Sequence, residues 1–89
     1  MVRYRIIFSG LVQGVGFRYF VSRTARHHDL TGFVQNLDDG RVQAEVQGRD
    51  EQVADFLKTV RSGNGYAMVR DYTMENLEVR LSEHTFIIE

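Results

Sequence analysis

Two short segments of the sequence carry residue types that suit chemistry on an anion. The first, GLVQGVGFRYF at residues 10–20, places three glycines within seven residues, ahead of Arg18. Glycines allow a loop at a strand–helix junction to turn its N–H groups toward one centre, beside the positive end of the helix. A planar guanidinium suits two oxygens of one phosphate. The segment therefore predicts a phosphate-sized site of backbone amides completed by Arg18.

The second segment, GFVQN, ends a predicted strand at Asn36. The two strands of a β-α-β unit run parallel, so Asn36 and Arg18 are expected at the same edge of the sheet. A third strand inserted between them would separate their backbones by ~10 Å, a distance that long side chains can span. Two alternatives stay open. Asn36 is also typical of a turn residue that bonds its own backbone, and glycines and an arginine at this junction also fit simple packing and solvation.

Two common phosphate motifs do not fit the glycine segment. No Gly-Lys-Ser/Thr sequence follows it, as a P-loop requires. A dinucleotide fingerprint needs a third glycine where Tyr19 and Phe20 stand. The segment is therefore not predicted to bind ATP or NAD.

Apolar spacing predicts the elements that must position the two segments. Residues 2–8 are rich in β-branched and aromatic side chains, which favours a buried strand. Apolar residues three and four apart predict a helix over about 17–28 and a second helix that Asp50 caps and SGNG (62–65) ends. Further strands are predicted at 30–36, 41–47, 69–75 and 86–89.

The predicted third strand, 41–47, follows a hairpin turn at Asp39-Gly40. Its apolar residues alternate with polar ones, among them Glu45 and Gln47. This alternation is typical of a half-exposed antiparallel strand. The arginines other than Arg18, Arg3 among them, are interspersed with acidic residues and are predicted to form a solvated surface.

The element order is β-α-β-β-α-β with a short terminal strand. This order predicts an α+β, ferredoxin-like split β-α-β fold, with two helices on one face of a mostly antiparallel sheet. With 89 residues and no internal repeat or linker, the chain is expected to form one domain over 1–89.

Composition narrows the classes of function. The net charge is −1, which argues against a nucleic-acid or anionic-membrane surface. Cysteine is absent, so disulfides and thiolate metal sites are excluded. There is no stretch that resembles a signal peptide or a membrane span. We expect a cytoplasmic monomer that binds neither nucleic acid nor membrane.

The two segments together closely resemble the acylphosphatases. GLVQGVGFR (10–18) and GFVQNLDDGRVQAEVQG (32–48) match both signature segments of that family, in order. The resemblance implies hydrolysis of a small acyl phosphate to carboxylate and inorganic phosphate, without metal or cofactor. It implies that Asn36 orients the attacking water and that Arg18 binds the phosphoryl group with loop amides. The residues that it implies for substrate binding are Gln13, Gly14, Val15, Gly16, Phe17 and Arg18.

Two departures from the family pattern concern the hairpin close to the expected site and the segment 62–69. The Asp38-Asp39 hairpin is acidic, which would weaken the binding of anionic substrates. The segment 62–69 lacks the proline that the resemblance leads us to expect, and the chain has no proline at all. This loop is therefore expected to be less stiff.

Two other functions compete with hydrolysis. The same fold could serve as a regulatory module that binds phosphate or an acyl phosphate without turnover. An RNA-binding module of this topology would stack bases on sheet aromatics, for which Tyr4, Phe8 and Phe33 are candidates. The predicted third strand has no aromatic residue, however, and the chain has no basic excess.

Overall fold

The computed structural model describes all of residues 1–89. It contains two helices and five strands, in the predicted order. Their bounds are β1 Val2–Leu11, α1 Phe17–His27, β2 Thr31–Asn36, β3 Val42–Gly48, α2 Asp50–Arg61, β4 Met68–Leu77 and β5 Phe86–Ile88.

The five strands form one sheet in the order β4-β1-β3-β2-β5. Strand β3 lies between β1 and β2 and is antiparallel to both, and β4 is antiparallel to β1. Strand β5 is parallel to β2. The predicted fold class, including the short terminal strand, is confirmed. Because β1 and β2 run parallel, their carboxyl ends reach the same edge of the sheet.

The core lies between one face of the sheet and the apolar stripes of both helices. Helix α1 buries Phe17, Val21 and Ala25, and α2 buries Phe56 and Val60. These side chains pack against alternate residues of the strands, as the apolar spacing predicts. Helix α2 begins one residue earlier than expected.

The start of α2 differs in one detail from the prediction. Asp50, expected as the cap, is the first helical residue, and Arg49 occupies the N-cap position. The Gln52 side chain accepts a hydrogen bond from the Arg49 N–H at 2.8 Å. Asp50 instead stabilises the first turn through the helix dipole.

Strand β1 extends three residues beyond the predicted end at residue 8, through Gly10 to Leu11. Its pairing with β4 shifts register between Ser9 and Gly10, at a β-bulge. Gly10 has a φ of 128°, and a Cβ there would collide with the Met68 carbonyl oxygen. The expectation that Gly10 belongs to the loop is therefore wrong: it is glycine because the neighbouring strand lies too close for a side chain.

The alternating pattern of β3 suggested that the second face of the sheet is open to solvent along this strand. The structure shows that it is not. Glu45 and Gln47 are buried, and Arg3 on β1 is only 1% exposed. The Arg3 guanidinium donates to Glu45 Oε1 at 3.0 Å and to Glu83 Oε1 at 2.7 Å. The connection 78–85 covers these groups, a long-range packing that strand alternation does not encode. The prediction of a solvated Arg3 is wrong for the same reason.

These contacts predict a pH-dependent contribution of Glu83 to stability. Burial raises the pKa of Glu83, but hydrogen bonds from Arg3 and Thr31 outweigh it and hold the pKa below its ordinary value of 4.5. We expect Glu83→Gln to lower the free energy of unfolding by about 1 kcal/mol at neutral pH, because a charged hydrogen bond becomes a neutral one. The difference in free energy of unfolding between the parent and Glu83→Gln should be complete above the pKa of Glu83 in the unfolded chain. It should vanish as pH falls through the lower pKa of Glu83 in the folded protein.

Urea unfolding of both proteins from pH 7 down to acid would measure this difference. Glu75→Gln is the matched control, since Glu75 is 62% exposed in its pair with Arg5. A difference between the parent and Glu83→Gln that stays constant with pH would contradict the assignment.

Candidate active site

The loop between β1 and α1 has the backbone shape that an anion site requires. Gly14 and Gly16 both have a φ of 74°, in the left-handed region that favours glycine. Gly16 is the N-cap of α1, no side chain caps this end, and the first turn holds no acidic residue. The first N–H groups of α1 are thus left without a side-chain acceptor, at the positive end of the helix dipole.

Arg18 lies in the first turn of α1 and is half-buried. Its Nη1 donates a hydrogen bond to the backbone carbonyl of Glu89 at 3.1 Å. Glu89 is in turn held to β2, because its N–H donates to the Val34 carbonyl at 2.8 Å. A guanidinium has five N–H donors, so this contact orients Arg18 and leaves other donors for a ligand.

Asn36 is the last residue of β2 and is exposed. The loop is tied to the hairpin that follows Asn36 by the Gln13 side chain. Gln13 Nε2 donates to the Leu37 carbonyl at 2.8 Å and to the Arg41 carbonyl at 2.9 Å. The Leu37 N–H donates to that same Arg41 carbonyl, which closes the neck of the hairpin. The Gln13 side chain therefore holds the hairpin. Only the backbone amide of Gln13 remains for the predicted contact with the substrate.

The two segments meet at one cavity of about 230 Å³. Gly14, Gly16, Arg18 and Asn36 all line it, as topology predicts. The remaining lining residues are Val12, Gln13, Phe17, Tyr19 and Ile88. Of the residues proposed for substrate binding, only Val15 is not among the lining residues. A cavity smaller than the roughly 300 Å³ of drug-sized pockets fits a small ligand.

Phe17 and Val15 take part in this region mainly through their backbone. The Phe17 side chain is buried and packs edge-to-face against Phe8, with ring centroids 5.3 Å apart. Val15 is partly buried against the core. Their apolar side chains anchor the loop and the first turn of α1 to the body of the protein. Neither side chain carries a group that recognises an anion.

The structure adds groups that the two segments did not indicate. Ile88 and Tyr19 give the cavity an apolar rim, with exposed fractions of 44% and 66%. The Glu89 carbonyl orients Arg18, and Asn64 contacts the loop from the α2–β4 connection. The terminal strand was predicted, but nothing in its three residues indicates that it pairs with β2. The only signal for Asn64 in the sequence is its position in a glycine-rich turn, which does not indicate a contact with the loop before α1.

The acidic hairpin carries less free charge than its sequence suggests. Asp39 accepts hydrogen bonds from the Arg41 backbone N–H at 3.1 Å and from Arg41 Nε at 2.7 Å. These contacts lower the pKa of Asp39, the backbone bond most. Its charge is matched locally by Arg41, which reduces the repulsion expected for an anionic substrate.

The residues considered for base stacking do not form an exposed platform. Phe8 is fully buried beneath the helices, and Tyr4 packs against the same core. Both side chains belong to the core, whereas Phe33 is half-buried on the other face of the sheet, opposite Glu45.

Comparison with known proteins decides the family. The sequence model of the family described as acylphosphatase matches residues 4–88. The chain belongs to the acylphosphatase family. It is 45% identical to the acylphosphatase of Clostridium beijerinckii over 89 residues, covering 100% of this chain and 99% of that protein. It is 48% identical to the acylphosphatase of Bacillus pumilus over 77 residues, 86% of each chain.

The acylphosphatase fold is also found in solved structures similar to this one. The crystal structure of acylphosphatase from Bacillus subtilis superposes with a TM-score of 0.95 at 39% identity. The match covers 100% of this chain and 99% of that one. The family resemblance of the two sequence segments is thus confirmed, and the relatives support the acylphosphatase activity that it implies. Neither helix is long and apolar enough to cross a membrane.

Proposed function

We propose that the chain hydrolyses the carboxyl–phosphate bond of small acyl phosphates, with the phosphoryl group seated between Arg18 and the amides of residues 13–17. The observation that carries this proposal is the meeting of the glycine loop, Arg18 and Asn36 at one cavity. Because all three segments line the same cavity, one small ligand there can contact an uncapped helix end, a guanidinium and a neutral amide.

The phosphoryl group is held by charge and by oriented donors. Two guanidinium N–H groups of Arg18 bind two phosphoryl oxygens, while the loop amides bind others. Donors fixed in advance stabilise the charge that spreads over these oxygens in the transition state. The Glu89 carbonyl and the Gln13 side chain keep this arrangement in place before substrate arrives.

Asn36 positions the attacking water. Its amide is neutral near pH 7, so it holds the water through a hydrogen bond rather than removing a proton. The water oxygen forms a bond to phosphorus as the bond from phosphorus to the acyl oxygen breaks. The carboxylate leaves with the electron pair of that bond, and a phosphoryl oxygen takes the proton of the water. A carboxylate is a weak base, so the leaving group needs no general acid.

Hydrolysis of benzoyl phosphate by the purified protein tests the proposal. We expect turnover that is unchanged by excess EDTA, since positioning and charge stabilisation come from Arg18 and the amides. Release of benzoate and phosphate in equal amounts would be followed with and without added Mg²⁺. A folded protein that binds phosphate but does not hydrolyse benzoyl phosphate would favour the regulatory binding module instead. Loss of activity on chelation would contradict the metal-free mechanism.

A further inference from the structure

Asn64 contacts the loop between β1 and α1, residues 12–16, which we call the anion loop. It does so from the connection between α2 and β4, and it lies 49 residues away in sequence from its partner Val15. Its Nδ2 donates to the Val15 carbonyl at 2.9 Å. Its Oδ1 accepts from the backbone N–H of Tyr66 at 3.0 Å and of Ala67 at 2.8 Å. The Asn64 amide thus stabilises the turn to which Asn64 belongs and also binds the anion loop.

These three bonds fix which way the amide of Asn64 faces. Two backbone N–H donors converge on one side of the amide, so that side must be the oxygen. The nitrogen is then directed to the Val15 carbonyl. The turn lacks the proline expected from the family pattern, and Asn64 supplies stiffness through hydrogen bonds instead.

Holding the Val15 carbonyl also sets the direction of the next N–H group. In a trans peptide unit the C=O of Val15 and the N–H of Gly16 point in opposite directions. The carbonyl is directed at Asn64, so the Gly16 N–H is directed away from it. Gly16 lines the cavity beside Arg18, whereas Val15 and Asn64 do not. The contact with Asn64 therefore turns a carbonyl away from the anion site and an amide toward it.

The backbone conformation of Gly16 does not by itself fix the orientation of the peptide between Val15 and Gly16, so another contact must stabilise it. Gly16 has a φ of 74°, and glycine occupies both signs of φ with little cost. The peptide between Val15 and Gly16 can therefore turn over, which would present the carbonyl oxygen to the phosphate. A bond from Asn64 to the carbonyl favours one of the two orientations.

We propose that Asn64 is a positioning residue for phosphoryl binding, which acts by holding the peptide between Val15 and Gly16 with its N–H toward the phosphate. The inference rests on the proposed function, since it assigns a task to the same anion site. Asn64 acts through Gly16 and does not touch the substrate.

Two variants remove the donor in different ways. Asn64→Asp keeps the oxygen that accepts from Tyr66 and Ala67 but loses Nδ2, and Asn64→Ala loses the whole amide without adding charge. We expect both to raise the inhibition constant of inorganic phosphate and to lower kcat/KM for benzoyl phosphate by about tenfold, the worth of one hydrogen bond. Asn76→Asp, an exposed site on β4, is the control for added charge and should match the parent.

The decisive readout is the Gly16 amide itself. In ¹⁵N-labelled parent protein, saturating inorganic phosphate should move the Gly16 amide proton downfield. In both variants we expect this shift at saturation to fall to less than half. The Gly14 amide, which Asn64 does not hold, should keep its shift and serves as the internal control. General loosening of the loop would instead reduce both shifts together.

The possible outcomes separate this inference from the proposed function. An unchanged Gly16 shift in both variants, in a parent that binds phosphate and hydrolyses benzoyl phosphate, would overturn the role of Asn64 alone. Equal loss of the Gly14 and Gly16 shifts would also overturn it, in favour of a general structural role. A folded parent without hydrolysis or phosphate-induced shifts would overturn the proposed function.

Discussion

Replacement of Arg18 by alanine is expected to lower kcat/KM for benzoyl phosphate by about 10³-fold or more. An arginine that stabilises a phosphoryl transition state contributes 10³ to 10⁵ in other enzymes of this chemistry, so about 10³ is the low end. The loss should appear in kcat as well as in KM, because charge on the phosphoryl oxygens grows toward the transition state. Steady-state kinetics with benzoyl phosphate would measure both.

Two variants sharpen the Arg18 test. Arg23→Ala removes an exposed arginine from the same helix, outside the cavity, and should retain parental activity. Arg18→Lys keeps the charge but loses the planar pair of donors, and should recover only part of the loss. Full recovery by lysine would mean that charge alone is needed. An Arg18→Ala protein as active as the parent would contradict the assignment of the phosphate ligand.

Replacement of Asn36 by alanine is expected to lower kcat by about 10²-fold while the inhibition constant of phosphate changes less than about twofold. The physical reason is that a water held in line with phosphorus reacts far faster than one that arrives by diffusion. The phosphate keeps its ligands, because the loop amides and Arg18 lie on other elements. Kinetics with benzoyl phosphate and inhibition by phosphate give the two quantities.

The outcome with Asn36→Ala distinguishes three roles. A loss in kcat alone supports water positioning. An equal loss in kcat and in phosphate affinity would make Asn36 a phosphate ligand. Unchanged activity would contradict any role, and the turn interpretation of Asn36 would then be preferred. Asn76→Ala is the matched control on an exposed strand position.

Sequence alone predicted the features that depend on neighbouring residues. Apolar spacing marked both helices, and glycine placement marked the loop ahead of Arg18. The position of Asn36 followed from the topology of one β-α-β unit. These features are local or follow from chain handedness, so they can be read without knowing which distant segments meet.

What the sequence did not predict depends on contacts between distant segments. Strand β1 continues past residue 8 because β4 is there to pair with it. Arg3 and Glu45 are buried because the connection 78–85 lies over them. Glu45 was expected to be exposed from the alternation of its strand, and Arg3 from the acidic residues interspersed with the arginines. Asn64 reaches the anion loop across 49 residues, and no motif marks it. The side-chain types of these residues indicate which hydrogen bonds they can form, but not which residues they contact.

The contact between Arg18 and the Glu89 carbonyl spans 71 residues, and that between Arg3 and Glu83 spans 80. Bringing such distant residues together costs loop-closure entropy before any contact compensates for it, which slows folding. During synthesis on the ribosome, the glycine loop and α1 emerge long before the residues that orient Arg18. The nascent chain therefore has the residues of the proposed site early, but the contact that orients Arg18 forms only after residue 89 has left the exit tunnel.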